Sequence, residues 1–131
     1  MADFANMPPR IQKIVQAHIG EDEHVQLCVL GRSSLLRPDF VFITTHRVLV
    51  LDERYIGGLT LSYANVRCNL LFTEIRGVKL IRHFKHRLLR QAKLEISVVR
   101  NVHWIDNINF RSAQYAYACI TEQLREENVI L

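Results

Sequence analysis

The chain has 131 residues, of which 49% are hydrophobic and 23% are charged, and its formal net charge is +4. This length excludes two independent cores, and the composition is that of an ordinary globular domain. No basic segment followed by an apolar one opens the chain, and no apolar run reaches the roughly 20 residues of a membrane span. We therefore expect neither a signal peptide nor a transmembrane helix.

The three cysteines are Cys28, Cys68 and Cys119, an odd number at spacings that fit no zinc or redox motif. We expect them to be reduced thiols, mostly buried, in a cytoplasmic protein.

An N-terminal helical extension is predicted over residues 1–20. Pro8 and Pro9 suit the first turn of a helix, and Gly20 suits the position just after the last turn. Between them one apolar stripe follows the helical period, formed by Ile11, Ile14, Val15 and Ile19.

About seven short strands are predicted to follow. Alternating or β-branched runs occupy residues 24–30, 40–44, 47–51, 93–99 and 102–108. Residues 55–75 are less regular, and Gly57-Gly58 marks a bend or bulge there. The last strand carries Trp104, and its alternation with Ile105 leaves open which of the two is buried.

A terminal amphipathic helix is predicted from Ser112, a plausible N-cap, to about Glu127. Strands and helices do not alternate, so the pattern indicates a mainly β domain with an antiparallel sheet that curls to protect its edges. The open end of such a barrel is the natural place for the apolar stripe of the terminal helix, which consists of Ala113, Ala116, Ile120 and Leu124.

The positive charge is concentrated in residues 76–93, called here the basic segment. It holds seven lysines and arginines, two histidines and no acid, whereas the rest of the chain has ten basic and 13 acidic residues, a net charge of −3. Such clustering favours an anionic partner over catalysis, although a solvated segment that only keeps the protein soluble fits the pattern as well.

Two conformations of the basic segment fit its sequence. In the first it is a β-hairpin with its tip near residues 83–89. In the second it is a helix with Ile81, Phe84, Leu88 and Ala92 on one face. The hairpin is favoured because the neighbouring strands need partners and no helix stop signal precedes residues 95–98.

Either conformation could lie on anionic lipid, at about 1 kcal/mol per lysine or arginine near the surface. A hairpin that presents half its charges would gain roughly 3–4 kcal/mol, around millimolar affinity, so membrane attachment by charge alone would need several copies. Nucleic acid is a weaker candidate, because Phe84 is the only aromatic residue in the segment.

Two short motifs lie on the predicted strands. Residues 42–50 contain an isoleucine-threonine-x-x-arginine pattern at Ile43, Thr44 and Arg47, and residues 72–78 contain isoleucine-x-x-valine at Ile75 and Val78. These motifs resemble those of bacterial pleckstrin-homology-like domains. Residues 94–96 are similar to the strand after the family's long hairpin, and residues 112–127 match its capping helix. The resemblance covers residues 21–127 and places the domain at residues 21–131.

The resemblance implies a strongly bent, seven-stranded antiparallel barrel that the C-terminal helix closes at one end. Eukaryotic relatives often bind phosphoinositides through basic residues between their first two strands, and bacterial members often look like self-assembling modules. Here that loop, residues 31–38, matches the lipid-binding pattern poorly. It has no lysine, and two leucines separate its two arginines: Arg32, Leu35, Leu36 and Arg37.

The sequence offers no catalytic or metal site. The pair His83 and His86 lies among cations that disfavour a bound metal ion, and no serine or glycine context matches a nucleophile elbow or a phosphate loop. We therefore expect no enzymatic activity and no cofactor.

These observations predict a cytoplasmic, non-enzymatic binding module whose partner is another protein or a second copy, a homo-oligomer being expected. Leu35, Leu36 and the stripe of the first helix are candidate contact surfaces, and Arg32 and Arg37 flank the two leucines. The alternative is peripheral attachment at the inner face of an anionic membrane through Arg82, Lys85, Arg87, Arg90 and Lys93.

Overall fold

The computed structural model describes residues 4–33, 38–55 and 62–129. A short 3-10 helix, Phe4–Asn6, precedes all other elements. The helices are α1 (Pro9–His18), α2 (Phe84–Leu89) and α3 (Phe110–Val129), and the strands are β1 (Val25–Gly31), β2 (Asp39–Thr44), β3 (Arg47–Tyr55), β4 (Ser62–Leu71), β5 (Gly77–Ile81), β6 (Gln91–Val98) and β7 (Asn101–Asn109).

The seven strands form two antiparallel sheets, ordered β1-β2-β3-β4 and β5-β6-β7. The predicted mainly β class, the seven strands and the C-terminal helix are thus confirmed. The predicted bent barrel is not closed by strand pairing: within the described residues, no strand ladder joins one sheet to the other. Register shifts within three of the strand pairs disturb the ladders, as expected for strongly twisted sheets.

The two sheets approach each other closely where β1 ends against β7. The backbone N–H of Arg32 donates to the carbonyl oxygen of Asp106 at 2.7 Å. A Cβ atom at Gly31 would lie 2.6 Å from the side chain of Ile105 and 3.0 Å from the Asp106 carbonyl oxygen. Only glycine fits this corner without a shift of the backbone, so Gly31 sets how near β1 comes to β7.

The isoleucine-threonine-x-x-arginine motif builds the turn between β2 and β3. The hydroxyl of Thr44 accepts the backbone N–H groups of His46 and Arg47 and donates to the carboxylate of Glu23 at 2.5 Å. Arg47 forms an ion pair with the same buried carboxylate, Nε to Oε2, at 2.8 Å. The motif therefore encodes a capped turn and satisfies a buried charge.

Helix α1 covers the outer face of the four-stranded sheet. Ile11 and Val15 are fully buried in a cluster with Phe42, Leu49 and Leu51. Strand β2 is consequently buried on both faces along its whole length. The prediction that the stripe of the first helix is an external contact surface is wrong, because the fold itself uses the centre of that stripe.

The main core lies between the sheets and under α3. Ala113, Ala116 and Ile120 of the helix are fully buried and pack with the inner side chains of both sheets. The helix begins at Phe110, two residues before the predicted N-cap, because the Asn109 side chain accepts the backbone N–H groups of Arg111 and Ser112.

The cysteines are all free thiols, as predicted. Cys28 and Cys68 are buried, and burial raises the pKa of the Cys68 thiol to about 11. Burial also raises the pKa of Cys119, which is partly exposed on α3. Thiolate chemistry is therefore suppressed at Cys68 and Cys119.

Candidate functional site

The basic segment forms the unit β5–α2–β6. Strand β5 pairs with β6 from Gly77 opposite Ser97 to Ile81 opposite Lys93, so the predicted hairpin is confirmed. Its tip is the six-residue helix α2, so the alternative helical interpretation holds for that short stretch only.

Helix α2 turns a histidine, and not an apolar stripe, toward the protein. His86 is fully buried, whereas Phe84 and Leu88, the residues of the predicted apolar face, point into solvent. Ala92, the last member of that face, is buried in β6. The apolar face expected for a helix in this segment therefore points into solvent and not toward the protein.

Two hydrogen bonds fix the His86 ring. Its Nδ1 accepts the backbone N–H of His83 at 2.9 Å, and its Nε2 lies 2.6 Å from Oδ1 of Asp106. Because Nδ1 accepts a backbone N–H, it carries no proton, and the ring is the neutral tautomer with its proton on Nε2. His83 and His86 thus cap the start of α2 reciprocally, and both nitrogens of His86 have partners within the protein.

Asp106 connects α2 to the end of β1. Its carboxylate accepts from His86, from the N–H of Asn107 at 2.8 Å and from Nζ of Lys85 at 3.2 Å. Its backbone bonds to Arg32 and, at 3.1 Å, to the hydroxyl of Ser33. Burial works against ionisation of Asp106, but the hydrogen bonds from His86, Asn107 and Lys85 outweigh it, so the pKa of the carboxyl is lowered.

Acid is expected to destabilise the protein through two carboxyls. The pKa of Glu23 is also lowered: burial opposes this, but the hydrogen bonds from Arg47, Thr44 and the Gly20 N–H prevail. A carboxyl whose folded pKa is depressed contributes stability above its unfolded pKa and loses it as the pH falls through the folded value. The free energy of unfolding, measured with urea, should be constant as the pH is lowered to about 5 and should decrease steeply below about pH 4. In the Glu23→Gln, Asp106→Asn double variant that decrease should be smaller, and an unchanged decrease would contradict the assignment.

Three of the five predicted anion-binding residues have internal partners. Lys85 pairs with Asp106, and Nζ of Lys93 lies 3.6 Å from Oε1 of Glu95. No carboxylate of the described residues forms an ion pair with the guanidinium of Arg82. Its Nε donates to the backbone of β6, at the carbonyl oxygen of Gln91, at 3.1 Å, and its Cζ lies 3.8 Å above the ring centre of Phe110.

The other two, Arg87 and Arg90, are exposed at the tip. Among the described residues, no carboxylate lies within 4 Å of either guanidinium. Asp106 therefore neutralises Lys85, whereas Arg87 and Arg90 have no acidic partner in the part of the chain that the structure describes.

Three large apolar side chains stand between these charges. Phe84, Leu88 and Leu89 are 77%, 68% and 65% exposed. Exposed apolar side chains of this size, clustered on one short helix, make this surface a candidate contact site. We call this surface the α2 tip; it consists of Phe84, Lys85, Arg87, Leu88, Leu89 and Arg90.

One cleft adjoins α2, and another lies at its C-terminal end. The first, of about 570 Å³, brings Lys85 and Leu89 next to Arg32 from the loop after β1. The other predicted loop residues, Leu35, Leu36 and Arg37, lie outside the described part of the chain.

The second cleft, of about 390 Å³, is lined by Arg82, Arg90, Asn109, Phe110 and Arg111. Arg111 was not predicted, because it lies outside the basic segment and only the fold brings it to the end of α2. The sequence also shows the pair His83 and His86 at this end of the molecule, but their spacing alone does not reveal that they cap α2.

A separate apolar strip lies on the outer face of the three-stranded sheet. Trp104 is 52% exposed beside Val102, and Ile105 is fully buried, which settles the orientation of β7. Val99, in the turn before β7, is exposed as well.

Within the residues that the structure describes, no helix combines the length and the apolar character needed to span a bilayer. No group of three or more histidine, cysteine, aspartate or glutamate side chains able to hold a metal ion is found in the same part of the chain.

Solved structures of bacterial pleckstrin-homology domains share this fold. A DUF1696-family protein with a pleckstrin-homology domain from Shewanella loihica PV-4 superposes with a TM-score of 0.59 at 11% sequence identity, covering 87% of this chain and 90% of its own. A pleckstrin homology domain from Shewanella amazonensis SB2B gives 0.52 at 14% identity, covering 84% of this chain and 94% of its own. No protein-family model and no curated protein matches the sequence. The chain therefore has a bacterial pleckstrin-homology-like fold, as the sequence motifs predicted.

Proposed function

We propose that this protein is a non-enzymatic module that attaches to anionic membrane surfaces, at the cytoplasmic face, through the α2 tip. The observation that carries the proposal is the combination at one short helix of exposed Phe84, Leu88 and Leu89 with Arg87 and Arg90, two exposed arginines that have no acidic partner among the described residues. A segment that served solubility alone would have no use for the three apolar side chains.

The apolar side chains change the energetic estimate made from charge alone. Arg87 and Arg90 contribute about 2 kcal/mol near an anionic surface. Partial insertion of Phe84, Leu88 and Leu89 adds roughly 1 kcal/mol each, about half the value for full burial. The total of about 5 kcal/mol corresponds to a dissociation constant of the order of 0.1 mM, so a single copy would bind measurably.

Co-sedimentation with vesicles tests this proposal. Vesicles rich in phosphatidylserine should retain the protein at low salt and retain less of it at physiological salt, because screening weakens the charge term but not the apolar one. Vesicles of phosphatidylcholine should retain little. Equal binding to both lipids, or none to the anionic vesicles, would overturn the proposal.

A second candidate function is self-association, and the strip of Val99, Val102 and Trp104 favours it. The carbonyl of Trp104 already accepts from Arg67 Nη2 at 2.5 Å, so we expect side chains, and not strand addition, to make the contact. Two copies related by a two-fold axis would each cover the other's strip.

Light scattering distinguishes this candidate. At tens of micromolar the protein should contain dimers, and Trp104→Lys should shift it to monomer because it places a charge in the contact. A strict monomer at that concentration would exclude self-association without affecting the membrane proposal.

A further inference from the structure

The cleft lined by Arg82, Arg90 and Arg111 gathers three cations from three elements. Arg82 follows β5, Arg90 is the C-cap of α2, and Arg111 is in the first turn of α3. Within the described residues, no carboxylate lines the cleft or forms an ion pair with any of the three. Three guanidinium groups that face one space repel each other, and a bound anion would relieve that repulsion.

The guanidinium of Arg82 is held in place before any ligand arrives. Arg82 is fixed by its bond to the carbonyl of Gln91 and by stacking on the Phe110 ring, 3.8 Å away. The stacking engages one face of the guanidinium and leaves its outer N–H groups available.

Arg90 is fixed through its backbone. It adopts the left-handed conformation, φ 55° and ψ 48°, at a helix C-cap where glycine is the usual residue. Its carbonyl oxygen accepts the N–H of Phe110 at 2.9 Å, which ties the end of α2 to the start of α3. An arginine in a conformation that favours glycine directs a charge to the mouth of this cleft.

The backbone N–H groups at the N-terminus of α3 contribute little to the positive potential of the cleft. The Asn109 side chain already accepts the N–H groups of Arg111 and Ser112, so the arginines are the donors left for a ligand. Planar guanidinium groups bind phosphate oxygens in pairs, and a phosphate monoester offers two negative charges and three terminal oxygens. The volume of about 390 Å³ is at the lower end of small-ligand sites and exceeds the needs of a single inorganic ion.

We propose that this cleft binds a phosphate monoester. The group could belong to a lipid headgroup or to a soluble metabolite; only the lipid source rests on the proposed membrane function. Arg111 lies outside the α2 tip, so its substitution tests the cleft without removing a tip charge.

Calorimetric titration with glycerol phosphate tests the binding, with sodium chloride at matched ionic strength as the reference. The native protein should bind with a millimolar or lower dissociation constant, and Arg111→Gln should weaken binding at least tenfold. The matched control Arg100→Gln, which removes an exposed arginine from the β6–β7 turn, should bind like the native protein. No binding above the chloride reference, or equal weakening by both substitutions, would overturn the proposal.

Binding to vesicles distinguishes a lipid headgroup from a soluble metabolite as the source of the phosphate monoester. With a lipid source, phosphatidic acid, which carries a phosphate monoester, should bind the native protein several-fold more tightly than phosphatidylserine at equal surface charge. Arg111→Gln should then lose that preference and retain binding to phosphatidylserine. Binding of glycerol phosphate without a preference for phosphatidic acid assigns the cleft to a soluble ligand. If the native protein does not bind phosphatidylserine vesicles, this result counts against the proposed membrane function and not against the cleft.

Discussion

Charge reversal at the α2 tip is expected to abolish binding to anionic vesicles. In the Arg87→Glu, Arg90→Glu variant, two attractive charges of about 1 kcal/mol each become repulsive, a change of about 4 kcal/mol. Binding should fall about a thousandfold at low salt, below detection in a sedimentation assay. Both side chains are exposed and, among the described residues, form no ion pair, so the free energy of unfolding should change by less than about 0.5 kcal/mol.

A control with the same net charge is available in the same hairpin. Arg76 and Arg100 are exposed at the opposite end of the β5–β6 ladder, where Gly77 faces Ser97. The Arg76→Glu, Arg100→Glu variant should bind vesicles only a few-fold more weakly than the native protein. Equal losses in both double variants would mean that net charge, and not the α2 tip, governs membrane binding.

His86→Ala is expected to cause the largest loss of stability among the substitutions at this end of the molecule. It opens a cavity at a fully buried site and leaves the His83 N–H and the Asp106 carboxylate without their ring partners. The combined cost is roughly 3–4 kcal/mol, a large part of the total stability of a domain of this size.

Urea unfolding measures this effect, and His24→Ala is the matched control. The His24 side chain is exposed, so its removal should change the free energy of unfolding by no more than about 0.5 kcal/mol. The folded His86→Ala protein should also bind anionic vesicles more weakly, because α2 no longer holds its side chains in one orientation. A loss below about 1 kcal/mol would show that the histidine cap does not hold the tip.

The sequence motifs that predicted the fold correctly are those whose partners are close in the sequence. Thr44 specifies the β2–β3 turn because its hydroxyl accepts the backbone N–H groups of His46 and Arg47, two and three residues later. The β5–β6 hairpin was predicted because the strands next to the basic segment need pairing partners, and these two strands are neighbours in the sequence.

The orientation of α2 could not be predicted, because it depends on one contact between residues far apart in the chain. His86 faces the interior since Asp106, 20 residues later, accepts its Nε2 proton, and this contact turns Phe84 and Leu88 outward. An apolar stripe in a sequence indicates a buried face only when the fold supplies an apolar partner. The apolar stripe of α1 packs against the outer side of β2 and β3, whereas the apolar residues of α2 face no such surface among the described residues.

The same limit applies to the candidate cleft. The sequence identified the basic segment as the centre of positive charge, and Arg82 and Arg90 belong to it. Arg111 joins them only because the start of α3 packs against the end of α2, through the bond from Phe110 to Arg90.

Depth-dependent fluorescence quenching tests most directly whether the α2 tip enters the bilayer. The Phe84→Trp, Trp104→Phe variant places the sole indole of the chain at the tip, and the native protein carries its own indole on the outer face of β7. With anionic vesicles that contain brominated acyl chains, we expect strong quenching and a blue shift for the indole at position 84 and neither for native Trp104. Quenching of Trp104 with an unaffected indole at position 84 would contradict the assignment of the α2 tip as the membrane-contacting surface.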